Sequence, residues 1–183
     1  MSSVLVGIIA VILFIGLAIV SSLYLGGQFN TASAKSQALE MTNKASQLNQ
    51  ATALYWTEQG RPVVARSSVR SLLEKGYLKK VPVNPYIDRG GAPFRMLFSG
   101  DVYSANYYAD VIIVDMGQDE DAKEVCSAIN RQASHSGTIP EIDVSEGARV
   151  SAMTEAPTGC FQMHDVGIYG EAGPHSYIMY SRL

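Results

Sequence analysis

The chain of 183 residues carries 14 Lys and Arg against 17 Asp and Glu, a formal net charge of -3. No dense basic cluster is present, so the electrostatic footprint of a nucleic-acid binder is missing. The mean hydropathy of +0.07 comes from an apolar excess at the front; setting that aside leaves roughly 155 residues, enough for one domain with its own core.

The first charged side chain is Lys35, and from Val4 to Leu25 the run VLVGIIAVILFIGLAIVSSLYL holds no charged, His, Asn or Gln residue. It predicts a helix of roughly 33 Å, close to the hydrocarbon thickness of a bilayer. A secretory signal peptide fits poorly, because there is no basic leader region, the apolar run is too long and no A-x-A site follows. A transmembrane anchor is the plainer alternative. Lys35 and Lys44 follow the segment with nothing basic before it, which by the charge rule favours a cytoplasmic C-terminal domain. Two cysteines able to form one bridge argue instead for an oxidising compartment. Within the run, Ala18, Ser22 and Gly26 recur every four residues, and Ser3 and Gly7 repeat that spacing. Such a face lets helix backbones approach closely and pack on copies of themselves; the competing reading is that Gly and Ala are simply common in membrane helices.

From Gln28 to about Gln59 a helical period continues, with Ala38, Met41, Ala45, Leu48, Thr52 and Tyr55 on one stripe. Gly26 and Gly27 lower helix stability by about 1 kcal/mol each relative to Ala, making them the expected point of flexibility. Gly60 and Pro62 end the element. Leu48, Tyr55 and Trp56 are expected to lock this helix onto a sheet rather than to bind a ligand.

Ser67-Ser68 before VRSLLEKGYL predicts a short capped helix, and VPVNPYIDRGGAPF, with Asn84-Pro85 and Gly90-Gly91, a connecting loop. Strands are expected over Phe94–Phe98, Tyr107–Val114, Cys160–Val166 and Tyr177–Tyr180. Asp119, Glu120 and Asp121 open a helix through AKEVCSAINRQA. The expected class is therefore α+β: a long N-terminal helix packed on an antiparallel sheet, with a disulfide-bounded C-terminal region. Residues 1–27 form the hydrophobic helix and 28–183 the globular domain, divided into amphipathic helix 28–59, connecting loop 60–92 and sheet with disulfide region 93–183. No internal repeat or low-complexity tract is evident.

The catalytic inventory is thin. Cys126, Cys160 and His164 make an incomplete zinc set, so a Cys126–Cys160 disulfide is the better reading. Closing that loop is worth on the order of 4 kcal/mol in the chain-entropy model, and it would staple the irregular stretch from Arg131 to Pro157. Asp115, Asp119, Glu120 and Asp121 lack the spacing of a calcium loop and suit a helix N-terminus. His135, His164 and His175 stand apart from any hydrolase motif, and no phosphate- or dinucleotide-binding loop occurs. No metal, cofactor or enzymatic activity is expected.

This layout resembles the type IV pilins: an apolar helix running into an amphipathic one, a loop with Asn84-Pro85, a sheet, and a cysteine-bounded region. The segments YADVIIVDMGQDEDAKEVCSAINRQ and PTGCFQM are similar to the type IVb subgroup. The resemblance covers the whole chain as layout and is specific at residues 1–60 and at the two cysteines. It implies a subunit made with a basic leader, cut by a prepilin peptidase and methylated at the new N-terminus, here Met1. The discarded leader would supply the missing basic flank and place the domain outside. Subunits would wait in the inner membrane, be extracted by an assembly platform, and form a helical homopolymer, an extracellular filament on the bacterial cell surface with the apolar helices at its centre. The family usually has glutamate at the fifth mature residue, paired with a neighbour's amine. Leu5 stands there, leaving docking to Ser2 and Ser3 or marking an unusual branch or minor component. The alternatives are a non-filamentous pseudopilin of a secretion system and a single-pass anchored periplasmic binding or adhesin domain.

Overall fold

The computed structural model describes residues 2–60, 69–97, 111–133, 136–142, 156–163 and 175–183, apart from the side chains of 2–5, 22–29, 97 and 142. Met1, the Ser67-Ser68 cap, Pro62, the start of the Tyr107–Val114 strand, the end of the Cys160–Val166 strand, His135 and His164 lie outside the described residues.

Helix α1 runs unbroken from Ser2 to Gln59. Its backbone stays helical through Gly26 and Gly27, whose N–H and C=O groups can join the helical ladder like those of any non-proline residue. It stops at Gly60, whose φ of +66° only glycine adopts without strain, with the Gly60 N–H donating to Trp56 O at 2.9 Å. The apolar stripe is the buried face. Ala34, Ala38, Met41, Ala45, Leu48, Ala51 and Thr52 are all buried. Four alanines in that row let the helix axis lie close to the elements it packs on.

A short helix α2, Val69–Glu74, follows and turns at Gly76, and a 3-10 turn spans Ile87–Arg89. The strands are β1 Arg95–Leu97, β2 Val111–Asp115, β3 Glu141–Ile142, β4 Thr158–Met163 and β5 Tyr177–Arg182, with α3, Glu120–Gln132, between β2 and β3. They form one sheet in the order β1-β2-β5-β4-β3. Four strands are antiparallel, as expected, but β3 pairs parallel to β4, so the sheet is mixed at that edge. The stretch expected to be irregular from Arg131 thus contributes the last turn of α3 and this edge strand. Its polar sequence hid a two-residue pairing that only the neighbouring β4 defines.

Register sorts the sheet into two faces. Ile112, Val114, Cys160, Tyr177 and Met179 point inward and join Met96 and Met116 in the core beneath α1 and α3. The opposite face, with Val111, Phe161, Ile178 and Tyr180, is buried as well. Burial on both faces explains why VIIVD reads as a continuous apolar run rather than an alternating one.

Helix α3 starts where its acids predict. Asp119 Oδ1 accepts from the Ala122 N–H at 2.8 Å, and Glu120 and Asp121 occupy the first turn. Ala122, Val125, Cys126 and Ile129 face the core. Cys126 and Cys160 form a disulfide with Cα atoms 5.3 Å apart, fastening α3 to β4.

Candidate functional site

Among the described residues, the first of α1 to be buried against the domain is Ala34. Ahead of it, the described side chains Val6–Ser21 lie on a helical arm about 24 Å long at 1.5 Å per residue. Its described side chains are apolar on every side: Val6, Ile8, Ile9, Val11, Ile12, Leu13, Phe14, Ile15, Leu17, Ile19 and Val20 are exposed, from 49% at Ile9 to 74% at Phe14. Eight of these positions, Ile8 and Ile9, Val11 through Ile15, and Leu17, cover all angles of the helix, so no polar face exists to turn toward water. An exposed apolar surface of that size marks a contact with lipid or protein. Nothing in the arm softens the conclusion, since Ser21 is the only polar side chain among Val6–Ser21.

Among the described residues no helix is long and apolar enough to cross a membrane. The described side chains of the arm cover Val6–Ser21, about 24 Å of helix against a hydrocarbon layer of about 30 Å. The expected span Val4–Leu25 extends beyond them at both ends.

Of the residues expected to form a packing face, Gly7 has open space around it and Ala18 is exposed. Ser3, Ser22 and Gly26 fall among the side chains outside the described set, so the four-residue stripe is seen only in these two members. Leu48 is buried in the core, while Tyr55 and Trp56 are half-buried against it. Tyr55 meets Tyr77 edge-to-face at 5.4 Å and carries the Lys75 ammonium 4.8 Å above its ring. These two partners come from the segment after α2.

The arm is continuous with a helix that is anchored to the domain along its second half. Asn49 Nδ2 donates to Ser181 Oγ at 3.0 Å and Arg182 O at 2.9 Å on β5. Lys44 Nζ donates to Val83 O at 2.8 Å while pairing with Glu40 at 2.6 Å. The Tyr86 hydroxyl donates to Gln37 Oε1. Burial, reinforced by the charges of Asp119 and Asp121, pushes that hydroxyl up to about 12, so it remains a donor at any physiological pH.

The connecting loop is held by Asn84, a residue that sequence reading marked only as a turn former. Asn84 is buried, and Nδ2 donates to Ala92 O at 2.7 Å and Asp115 O at 2.6 Å while Oδ1 accepts from Tyr86 N at 3.0 Å. Asp115 is itself buried at the end of β2; its Oδ1 accepts from the Gly117 N–H at 2.7 Å. Burial raises the Asp115 carboxyl above the ordinary range, against the opposing pull of Gly117, the Ser176 hydroxyl and the charge of Arg95. Its Oδ2 has no well-formed hydrogen bond among the described residues. Arg89 closes the loop onto α3, 2.6 Å from Asp121 and 3.6 Å from Asp119. Asp119 thus caps α3 and Asp121 holds Arg89 in an ion pair.

A groove of about 910 Å³ lies between the base of the arm and α3, with Lys35, Lys123 and Arg131 facing Glu120, Glu124 and Glu141. All six are exposed and alternate in sign, so no set of buried polar groups converges on one point. Among the described residues no group of His, Cys, Asp and Glu could hold a metal ion.

The arrangement defines an α+β domain, sealed by one disulfide, whose first helix continues into an apolar arm. Comparison with models of protein families, with curated proteins and with solved structures finds no match to this chain.

Proposed function

We propose that this chain is a structural subunit of an extracellular filament of the type IV pilus kind, polymerising by bundling its apolar N-terminal helices. The observation that carries the reading is the arm from Val6 to Val20, apolar on all sides and continuous with a helix anchored in the domain core. Stranded in water, such a surface has no stable state, whereas lipid before assembly and a sheath of sibling helices afterwards both cover it. Helical continuity matters for the second home. Where arm and domain are one helix, a packed arm dictates where its domain sits, and a regular polymer follows. A tether serving only as an anchor gains nothing from that stiffness, and flexible linkers are the usual solution.

The membrane location, the prepilin peptidase and assembly platform as partners, and processing at Met1 belong to this same proposal and rest on the type IVb resemblance. The test is electron microscopy of material sheared from cells expressing the full chain, labelled with antibody to residues 60–183. Labelled fibres are the expected result. Label confined to membranes, with the purified chain remaining solitary in detergent, overturns the filament reading in favour of an anchored monomer.

A further inference from the structure

More than a sulfur–sulfur bond joins α3 to β4. One turn beyond Cys126, Asn130 is 2% exposed and lays its carboxamide along the backbone of Cys160. Its Nδ2 donates to Cys160 O at 2.9 Å, and its Oδ1 accepts from the Cys160 N–H at 2.8 Å. The second amide hydrogen reaches Thr138 O at 2.8 Å, and beside it Ser127 Oγ donates to Gly137 O at 2.9 Å. Strand β3 covers the edge of β4 only at Gln162 and Met163. The carboxamide takes the next place along that edge, pairing with Cys160 as the peptide of a longer strand would.

We propose that Asn130 is a positioning residue for disulfide formation: it seats α3 on β4 and brings the thiols of Cys126 and Cys160 together before they are oxidised. Residues 126 and 130 lie four apart on one face of α3, so pinning the carboxamide to Cys160 fixes both the rotation and the height of the helix there. The Cα separation of 5.3 Å falls inside the range a disulfide accepts. Without the clamp, two cysteines 34 residues apart must find each other by loop closure. The bridge then seals a contact that hydrogen bonds already specify. This inference is independent of the filament reading.

With glutathione disulfide as oxidant, one protein thiolate attacks it, forming a mixed disulfide and releasing one glutathione thiolate. The second protein thiolate attacks the protein sulfur of that mixed disulfide and expels the second glutathione thiolate. Two protons leave the cysteines and two electrons pass to glutathione. Asn130 acts on the second, intramolecular step.

The experiment refolds the reduced full chain in detergent micelles with glutathione disulfide and follows acid-quenched intermediates by mass spectrometry. The mixed disulfide is expected to persist about tenfold longer or more in Asn130→Ala than in the unsubstituted chain, the scale of losing one net buried hydrogen bond. Equal lifetimes overturn the proposal. A second measurement uses the Cys126→Ser, Cys160→Ser chain, which cannot form the bridge. There the amide at position 160 is expected to stay protected from hydrogen exchange, and to lose protection when Asn130→Ala is added. Free exchange at 160 with Asn130 intact, whether by local opening or global unfolding, overturns the proposal. Should Asn130→Ala alone fail to fold, the exchange result decides.

Discussion

A single charge placed in the arm isolates the physical claim on which the proposed function depends. Ile12 lies near the middle of Val6–Ser21 and is 63% exposed. At roughly 25 cal/mol per Å2 and about 100 Å2 of bare surface per side chain, the exposed aliphatic residues together withhold on the order of 25 kcal/mol until they are covered. Ile12→Lys forfeits about 2 kcal/mol of that and adds about 3 kcal/mol for an ammonium near the bilayer centre. The loss of about 5 kcal/mol corresponds to a drop of between roughly a thousand- and ten-thousandfold in occupancy of the apolar environment. The bundled state is affected at least as strongly, because identical ammoniums would face each other across a dry interface. Flotation of the full chain with vesicles of phosphatidylcholine and phosphatidylglycerol measures the first effect, and the yield of sheared fibres measures the second. Leu73→Lys is the control: this α2 residue is exposed on the domain, and the change is expected to stay within about 0.5 kcal/mol. An Ile12→Lys chain that floats and polymerises like the parent would refute the argument that the arm must be covered.

Three further outcomes test how the domain holds that arm. Leu48→Ala empties a fully buried position on α1 and is expected to cost about 3–5 kcal/mol in guanidinium unfolding of the full chain; a cost below about 1 kcal/mol would show that α1 is not fixed to the core there. Gly91→Ala places a methyl 2.6 Å from Asp115 O and 2.8 Å from Tyr86 O, both backbone atoms, and is expected to lower stability by about 2–4 kcal/mol. Gly90→Ala next to it meets no atom and bears only the strain of φ +85°, about 1 kcal/mol; equal melting temperatures for the two contradict the close approach. Asp115→Asn tests the buried carboxyl. Because burial raises its folded pKa above 3.8, the folded state binds the proton more tightly, and the stability it contributes is full below that value and declines as pH rises through the raised pKa. The asparagine keeps the acceptor for Gly117 and is expected to melt higher at pH 7 with a flatter pH profile above 3.8; an unchanged slope by calorimetry counts against a raised pKa.

Local chemistry alone was enough for the elements whose signals lie within a few residues. The α1 stripe from Ala38 through Thr52, its stop at Gly60, the acid-led start of α3 at Asp119, and the pairing of two cysteines each follow from helical period, backbone freedom or count. The apolar arm was equally legible, because hydropathy needs no partner to be read. Tertiary structure decided the rest, since a carboxamide or carboxylate reads as loop or cap until the groups opposite it are known. Asn84, Asp115 and Asn130 are polar letters in the sequence, yet all three are buried; Asn84 reaches the backbone of Asp115, 31 residues on, and Asn130 that of Cys160, 30 residues on. The parallel pairing of Glu141–Ile142 likewise exists only because β4 offers its edge. Periodicity records which face of an element is apolar; which distant backbone will satisfy a buried hydrogen-bonding group is settled only when the chain has closed around it.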